Sequence, residues 1–182
     1  MGGSVCLPLV AGVLLSGLAG YVGWTLGASD GSSQGEAAPT SSEEQSPAIL
    51  TEFRLPSLSG EEIGPADFRG EVIVVDFWAT WCSPCRVQAR ILDSIRGDYE
   101  DQGVQFLAIS LGEEEETVRK FADANPFPYP VLYDTPDRIA SEASIYALPT
   151  VMIIDREGEV SYLQAGLSDA KTLREELNRV TL

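Results

Sequence analysis

The sequence predicts an α/β domain of three layers, with a central mixed sheet flanked by helices. Two runs of β-branched and aromatic residues, Glu71–Trp78 (EVIVVDFW) and Val104–Ser110 (VQFLAIS), have the unbroken hydrophobicity of strands buried on both faces. A helical stretch follows each of them. A third run, Pro149–Asp155 (PTVMIID), is joined by Arg156-Glu157-Gly158-Glu159 to Val160–Leu163, the pattern of a β-hairpin. Strand–helix–strand order followed by an antiparallel hairpin and a helix makes the sheet mixed.

The remaining elements follow in order. Phe53–Ile63 reads as a small hairpin ahead of the main sheet. Ser83 to about Asp101 is predicted helical, with Cys85, Ala89, Leu92, Ile95 and Tyr99 on one side. Thr117–Asn125 is a second helix that buries a stripe of Val118, Phe121 and Ala122. Pro128–Tyr133 is a short extended piece, and Ser168 suits the N-cap of a last helix carrying Leu173, Leu177 and Val180. Glu113–Glu116 reads as a solvated helix start, favoured by the helix dipole, and carries no assigned site.

Two segments precede this domain, which spans residues 48–182. Residues 1–29 contain no charged side chain, and Val5–Leu26 is an apolar run of 22 residues, long enough to cross a bilayer as a helix. Tyr21 and Trp24 stand near its end, where aromatic rings favour the membrane interface. The segment reads as a single-pass membrane anchor or an uncleaved signal. A cleaved signal ending at Leu26-Gly27-Ala28 is the rival, although the basic leading region of a signal is missing. Cys6 lies inside the run and reads as a small membrane-buried hydrophobe. Residues 30–47 (DGSSQGEAAPTSSEEQSP) are a flexible acidic linker.

Composition excludes several functions. The 182 residues hold 28 acids, 12 bases and no histidine, a formal charge of −16. Four acids lie on the linker, which leaves residues 48–182 with 24 acids and all 12 bases, a net −12. Such a surface does not suit nucleic acid, whose phosphates need clustered Lys and Arg. The acid excess fits simple solubility or life in high salt, where self-repulsion is screened. Without histidine there is no Ser-His-Asp triad, no Cys-His dyad and no histidine-ligated metal.

The chemistry is concentrated in Trp81-Cys82-Ser83-Pro84-Cys85, directly after the first buried strand. Cysteines at i and i+3 opening a helix lie close enough to form a reducible disulfide. Unpaired N–H groups of the first turn favour a thiolate on the first one. Cys82 is therefore assigned as exposed nucleophile and Cys85 as resolving thiol, with Pro84 stiffening the ring. A zinc half-site would need two further ligands, and the only other cysteine is Cys6. No metal or organic cofactor is expected; the redox group is the Cys82–Cys85 disulfide itself. Asp76 sits six residues before Cys82 inside an apolar strand, where burial raises a carboxyl pKa. Strand alternation leaves open which face it occupies.

These residues resemble the thioredoxin fold: Val74-Val75-Asp76-Phe77-Trp78-Ala79-Thr80-Trp81-Cys82-Ser83-Pro84-Cys85, then Leu148-Pro149-Thr150 ahead of a strand. More narrowly, the chain resembles membrane-anchored thiol–disulfide oxidoreductases of the TlpA/ResA type. That resemblance rests on Phe53-Arg54-Leu55-Pro56 with Gly60, Asp67-Phe68-Arg69-Gly70, Ile153-Ile154-Asp155-Arg156-Glu157-Gly158 and the anchor-plus-tether layout. It covers about residues 50–180.

The resemblance implies further roles. Pro149 is the cis-proline facing the disulfide, and an X-Pro bond is the only kind that adopts cis cheaply. Leu148 then offers its backbone groups to an extended substrate, with Trp81, Pro84 and Thr150 completing the substrate-binding set. Asp76 corresponds to thioredoxin's buried acid, a general base for Cys85 when it attacks the mixed disulfide. Cys82 to Pro149 spans 67 positions, so Thr117–Asn125 and Pro126–Ala143 resemble the family's insertion. Phe127, Tyr129 and Tyr146 line a substrate groove or are core and rim aromatics.

The chain also departs from the pattern. Many relatives carry a Glu three residues after the second cysteine; this chain has Gln88, which cannot ionise. Ser83-Pro84 brings no His or Lys to the thiolate, so the couple is expected near thioredoxin's, about −270 mV. The implied partners are protein thiols and disulfides such as apocytochrome c, and a membrane thiol-reductant donor. Two other functions remain open at this point. A metallochaperone or assembly module would need Met or His beside the cysteines, and the only methionines are Met1 and Met152. A peroxiredoxin-like peroxidase expects Thr three residues before the attacking Cys, where this chain has Ala79.

Overall fold

A computed structural model describes residues 48–181. The anchor and linker expected over 1–29 and 30–47 lie outside the described residues. Among the described residues, no helix is long and apolar enough to cross a membrane.

A short helix α1 (Ile49–Glu52) leads into a two-stranded hairpin, β1 (Leu55–Pro56) and β2 (Glu62–Ile63), where Leu55 pairs with Ile63. The predicted N-terminal hairpin is therefore present. It docks on the edge of the main sheet: Leu58 N–H donates to Val131 O at 2.9 Å, and Ser57 bridges Leu132. Covering an edge in this way removes a template for unwanted pairing.

The main sheet contains β3 (Val72–Trp78), β4 (Val104–Leu111), β5 (Val131–Asp134), β6 (Thr150–Ile154) and β7 (Val160–Ala165), in the order β5-β4-β3-β6-β7. β3, β4 and β5 are parallel; β6 runs antiparallel to β3, and β7 to β6. The sheet is mixed, as the sequence predicts. Every residue of β3 is buried, because strands lie on both sides of it and helices cover both faces.

Helix α2 (Cys85–Arg96) follows β3, and α3 (Glu115–Ala124) follows β4. α4 (Arg138–Ala143) follows β5, and α5 (Ala170–Thr181) follows β7. Two apolar clusters fill the layers. One joins Val72, Val74 and Trp78 of β3 with Leu92 and Ile95 of α2, Val118 of α3 and Leu173 and Leu177 of α5. The other joins Ile73, Val75 and Phe77 with Leu50 of α1 and Ile139 and Ala140 of α4. α2 and α3 share a face because right-handed crossovers between successive parallel strands place both helices on the same side.

Two expectations need correction, and one helix was not expected. α2 does not run from Ser83 to Asp101: it starts at Cys85 and gives way at Gly97, with a separate 3-10 turn at Glu100–Gln102. Tyr99 still packs on the predicted side, buried in the α2 cluster. Ser168 is not the cap of α5. Asp169 is, its Oδ1 accepting the N–H groups of Lys171 and Thr172 at 2.9 Å each. The Thr172 bond is the largest cause holding the Asp169 carboxyl below its usual range. Within the predicted insertion, α4 carries no sequence signal. It is flanked by left-handed Asp137 and Ser144, and its Ile139 N–H is taken by Asp134 from outside the helix.

Candidate active site

The stretch from Ala79 to Pro84 is a tight loop between the end of β3 and the start of α2. Cys82 N–H donates to Ala79 O at 3.0 Å, and Pro84 occupies the cap position, its carbonyl accepting from Val87 and Gln88. Thr80 is tied to Glu113, outside α3, whose carboxylate accepts its N–H at 2.7 Å and its hydroxyl at 2.5 Å. Glu113 is thus part of the site's framework, which corrects its reading as a solvated helix start.

Cys82 and Cys85 are joined as a disulfide with their Cα atoms 5.4 Å apart. The Cys85 N–H donates to Cys82 Sγ at 3.2 Å, so the free donor of the first turn points at the first sulfur. The expectation that Cys82 is exposed is corrected: in this disulfide form it is 3% accessible, while Trp81 beside it is 73% exposed. A cleft of about 140 Å³ lies beside Cys85, walled by Trp78, Ala89, Arg90, Pro126 and Phe127.

Strand alternation puts Asp76 on the face of Val74 and Trp78, the face that packs with both cysteines. Its cross-strand neighbours are Ala108 and Val151. Both carboxyl oxygens are buried without a hydrogen-bond partner among the described residues, and desolvation pushes the carboxyl up to about 8. Trp78 Nε1 and Tyr129 Oη on the same face are likewise unpartnered. Burial, then the Asp76 carboxylate, pushes the Tyr129 hydroxyl above its usual range.

The peptide Leu148–Pro149 is cis, as the resemblance implies; Thr135–Pro136 is cis as well. Pro149 is buried and its carbonyl accepts Gly166 N–H at 2.8 Å. Thr150 is buried too, its hydroxyl donating to Ala147 O at 2.7 Å. Its side chain therefore holds the loop rather than facing a substrate. Phe127 lines the Cys85 cleft and stacks on Trp78 with ring centroids 4.7 Å apart; Tyr129 is a core residue, and Tyr146 is 85% exposed.

Sequence reasoning also missed what Gln88 does. It is fully buried one turn after Cys85, and its amide both donates to Ser168 O (3.2 Å) and accepts from Ser168 N–H (2.8 Å). This clasp fixes α2 to the loop before α5. A carboxylate could not make both bonds, so the departure from Glu has a structural role.

Residues 48–163 match the AhpC/TSA family. The chain belongs to that family. Within it, the chain is 31% identical over 129 residues to the thiol-disulfide oxidoreductase ResA of Geobacillus kaustophilus, covering 71% of this chain and 74% of that relative. It is 30% identical over 178 residues to the thioredoxin-like protein YneN of Bacillus subtilis, covering 93% and 96%. Among solved structures, a thiol:disulfide interchange protein of the thioredoxin family from Chlorobium tepidum superposes with a TM-score of 0.65. That likeness covers 78% of this chain and all (100%) of the other at 22% identity, and it shows the fold. This AhpC/TSA member is a ResA-like thiol–disulfide oxidoreductase with a Cys-x-x-Cys site.

Proposed function

We propose that this AhpC/TSA member is a membrane-tethered protein-disulfide reductase acting outside the cytoplasm. The observation that carries the reading is the Cys82–Cys85 disulfide at the head of α2, with the Cys85 amide on Cys82 Sγ and Asp76 on the same sheet face. In the dithiol form, the Cys82 thiolate attacks one sulfur of a substrate disulfide. A Cys82–substrate disulfide forms, and the other substrate sulfur leaves as a thiolate that takes up a proton. Asp76 accepts the proton of Cys85, whose thiolate attacks Cys82 Sγ. The second substrate sulfur leaves as a thiolate that takes up a proton, Asp76 releases the one it accepted, and the Cys82–Cys85 bond remains, so two electrons have passed to the substrate. A carboxyl near 8 suits this work, because a base is most effective when its pKa lies near the working pH. A membrane dithiol donor restores the reduced form.

Trp81, Pro84 and Leu148 form the substrate-contacting set, with Pro149 and Thr150 shaping the strand start behind Leu148. The exposure of Trp81, Tyr146 and Leu167 on three separate loops supports contact with an unfolded polypeptide. The apolar run Val5–Leu26 supports an anchor. Exported proteins, among them apocytochrome c with an oxidised Cys-x-x-Cys-His, are the substrates that the resemblance to the TlpA/ResA type points to. Reduction of insulin disulfides by the full chain, against Cys82→Ser, tests the activity; equal rates overturn it. Cys85→Ser is expected to retain a substrate on Cys82 as a dithiothreitol-cleavable adduct.

A further inference from the structure

We infer that Glu113 is a positioning residue for the thiol–disulfide reaction, holding the loop that carries Cys82 so that its sulfur meets the Cys85 amide. The inference rests on Cys82 being the attacking thiol.

Glu113 lies between β4 and α3, 33 residues from Thr80 in sequence. Its three acidic successors, Glu114 to Glu116, are exposed, but Glu113 is half-buried and turned inward. One carboxylate oxygen accepts the Thr80 N–H and the hydroxyl of Ser110, a fully buried residue, at 2.7 and 2.8 Å; the other accepts the Thr80 hydroxyl at 2.5 Å. Its own carbonyl accepts the Thr135 hydroxyl. One side chain thus joins the end of β4 to the active-site loop, and its backbone adds the loop after β5. Bonds to a carboxylate are stronger than neutral ones, so this is a stiff attachment.

Thr80 is two residues before Cys82. With its N–H held by Glu113 and the Cys82 N–H held by Ala79 O, the turn between them is fixed at both ends. The turn aims Cys82 Sγ at the Cys85 N–H. A thiolate gains from such a donor only while the distance is kept, so a loose turn raises the Cys82 pKa. The negative charge of Glu113 acts with the opposite sign: removing it would lower that pKa. The two roles are therefore separable.

The test compares Glu113→Ala and Glu113→Gln in the reduced full-length chain. Both variants are neutral there, and only the second keeps an oxygen for the Thr80 N–H. Iodoacetamide labelling of the Cys82 peptide is followed by mass across pH. Positioning predicts that E113A reacts about tenfold more slowly than E113Q at pH 7, with a midpoint about one pH unit higher. Equal midpoints in the two variants overturn the proposal. If E113A does not fold, Thr80→Val deletes only the hydroxyl arm; its midpoint should rise above wild type, and a wild-type midpoint overturns the proposal. Labelling confined to Cys85 in the wild-type chain would instead sink the assignment of Cys82 as attacking thiol.

Discussion

From β3, Ile73, Val75 and Phe77 point into an aliphatic and aromatic core beneath α1 and α4, whereas Val74, Asp76 and Trp78 point into the core that also holds the disulfide. The first set is fully apolar. The second includes a carboxyl and an indole N–H without partners, and Tyr129 adds an unpartnered hydroxyl. Buried polar groups are normally satisfied, and leaving one unmade costs on the order of 1–3 kcal/mol. These three orphans lie on the face that packs with the two cysteines. One side of the strand is wholly apolar, and the other carries a carboxyl whose burial favours its protonated form.

Substituting Asp76→Asn should produce the largest effect. The Asp76 carboxyl stands at about 8 when folded against 3.8 for the free group, so the folded protein holds a proton that the unfolded chain has released. The stability of this neutral form is complete below about pH 4, falls as pH rises, and is lost once pH passes about 8. The Asn variant should lack that decline and be more stable than wild type at pH 9 by a few kcal/mol. Its resolving step should slow by about a hundredfold. Urea unfolding at several pH values and single-turnover reduction measure the two effects; parallel stability curves for variant and wild type would break the comparison.

The opposite face should behave differently. Phe77→Ala leaves a cavity in the apolar core and should cost about 3–5 kcal/mol in unfolding free energy. The pH profile of Cys82 labelling should keep its midpoint, and a shifted midpoint would mean that the two faces are not independent.

A smaller effect is expected at the clasp between α2 and the loop before α5. Gln88→Glu loses the donor to Ser168 O and should cost about 1–3 kcal/mol. Because the buried carboxylate has the higher cost, the loss should grow with pH. A pH-independent melting temperature difference would contradict this.

Much of the fold is legible locally. The continuous runs at β3 and β4, the Pro149–Leu163 hairpin and the Cys-x-x-Cys at a strand–helix junction are short-range patterns. So is the periodicity of Leu173 and Leu177. Caps and short helices were less legible. Ser168 and Asp169 are both good capping residues, and the choice fell to Asp169 because Ser168 is held by Gln88 and by Tyr162. α4 is too short for periodicity to mark.

The sequence by itself determined the reactive pair, the order of the strands and of the longer helices, and the presence of an acid in the strand before the disulfide. Tertiary structure decided which acids matter and how. Alternation in β3 was ambiguous for Asp76 because both faces are buried, and only the packing of α2 settled its side. Gln88 and Ser168 are 80 residues apart, and Thr80 and Glu113 are 33 apart. The physical reason is that a side chain's polarity is written in the sequence, but its protonation and hydrogen-bond partners depend on what distant segments bring against it.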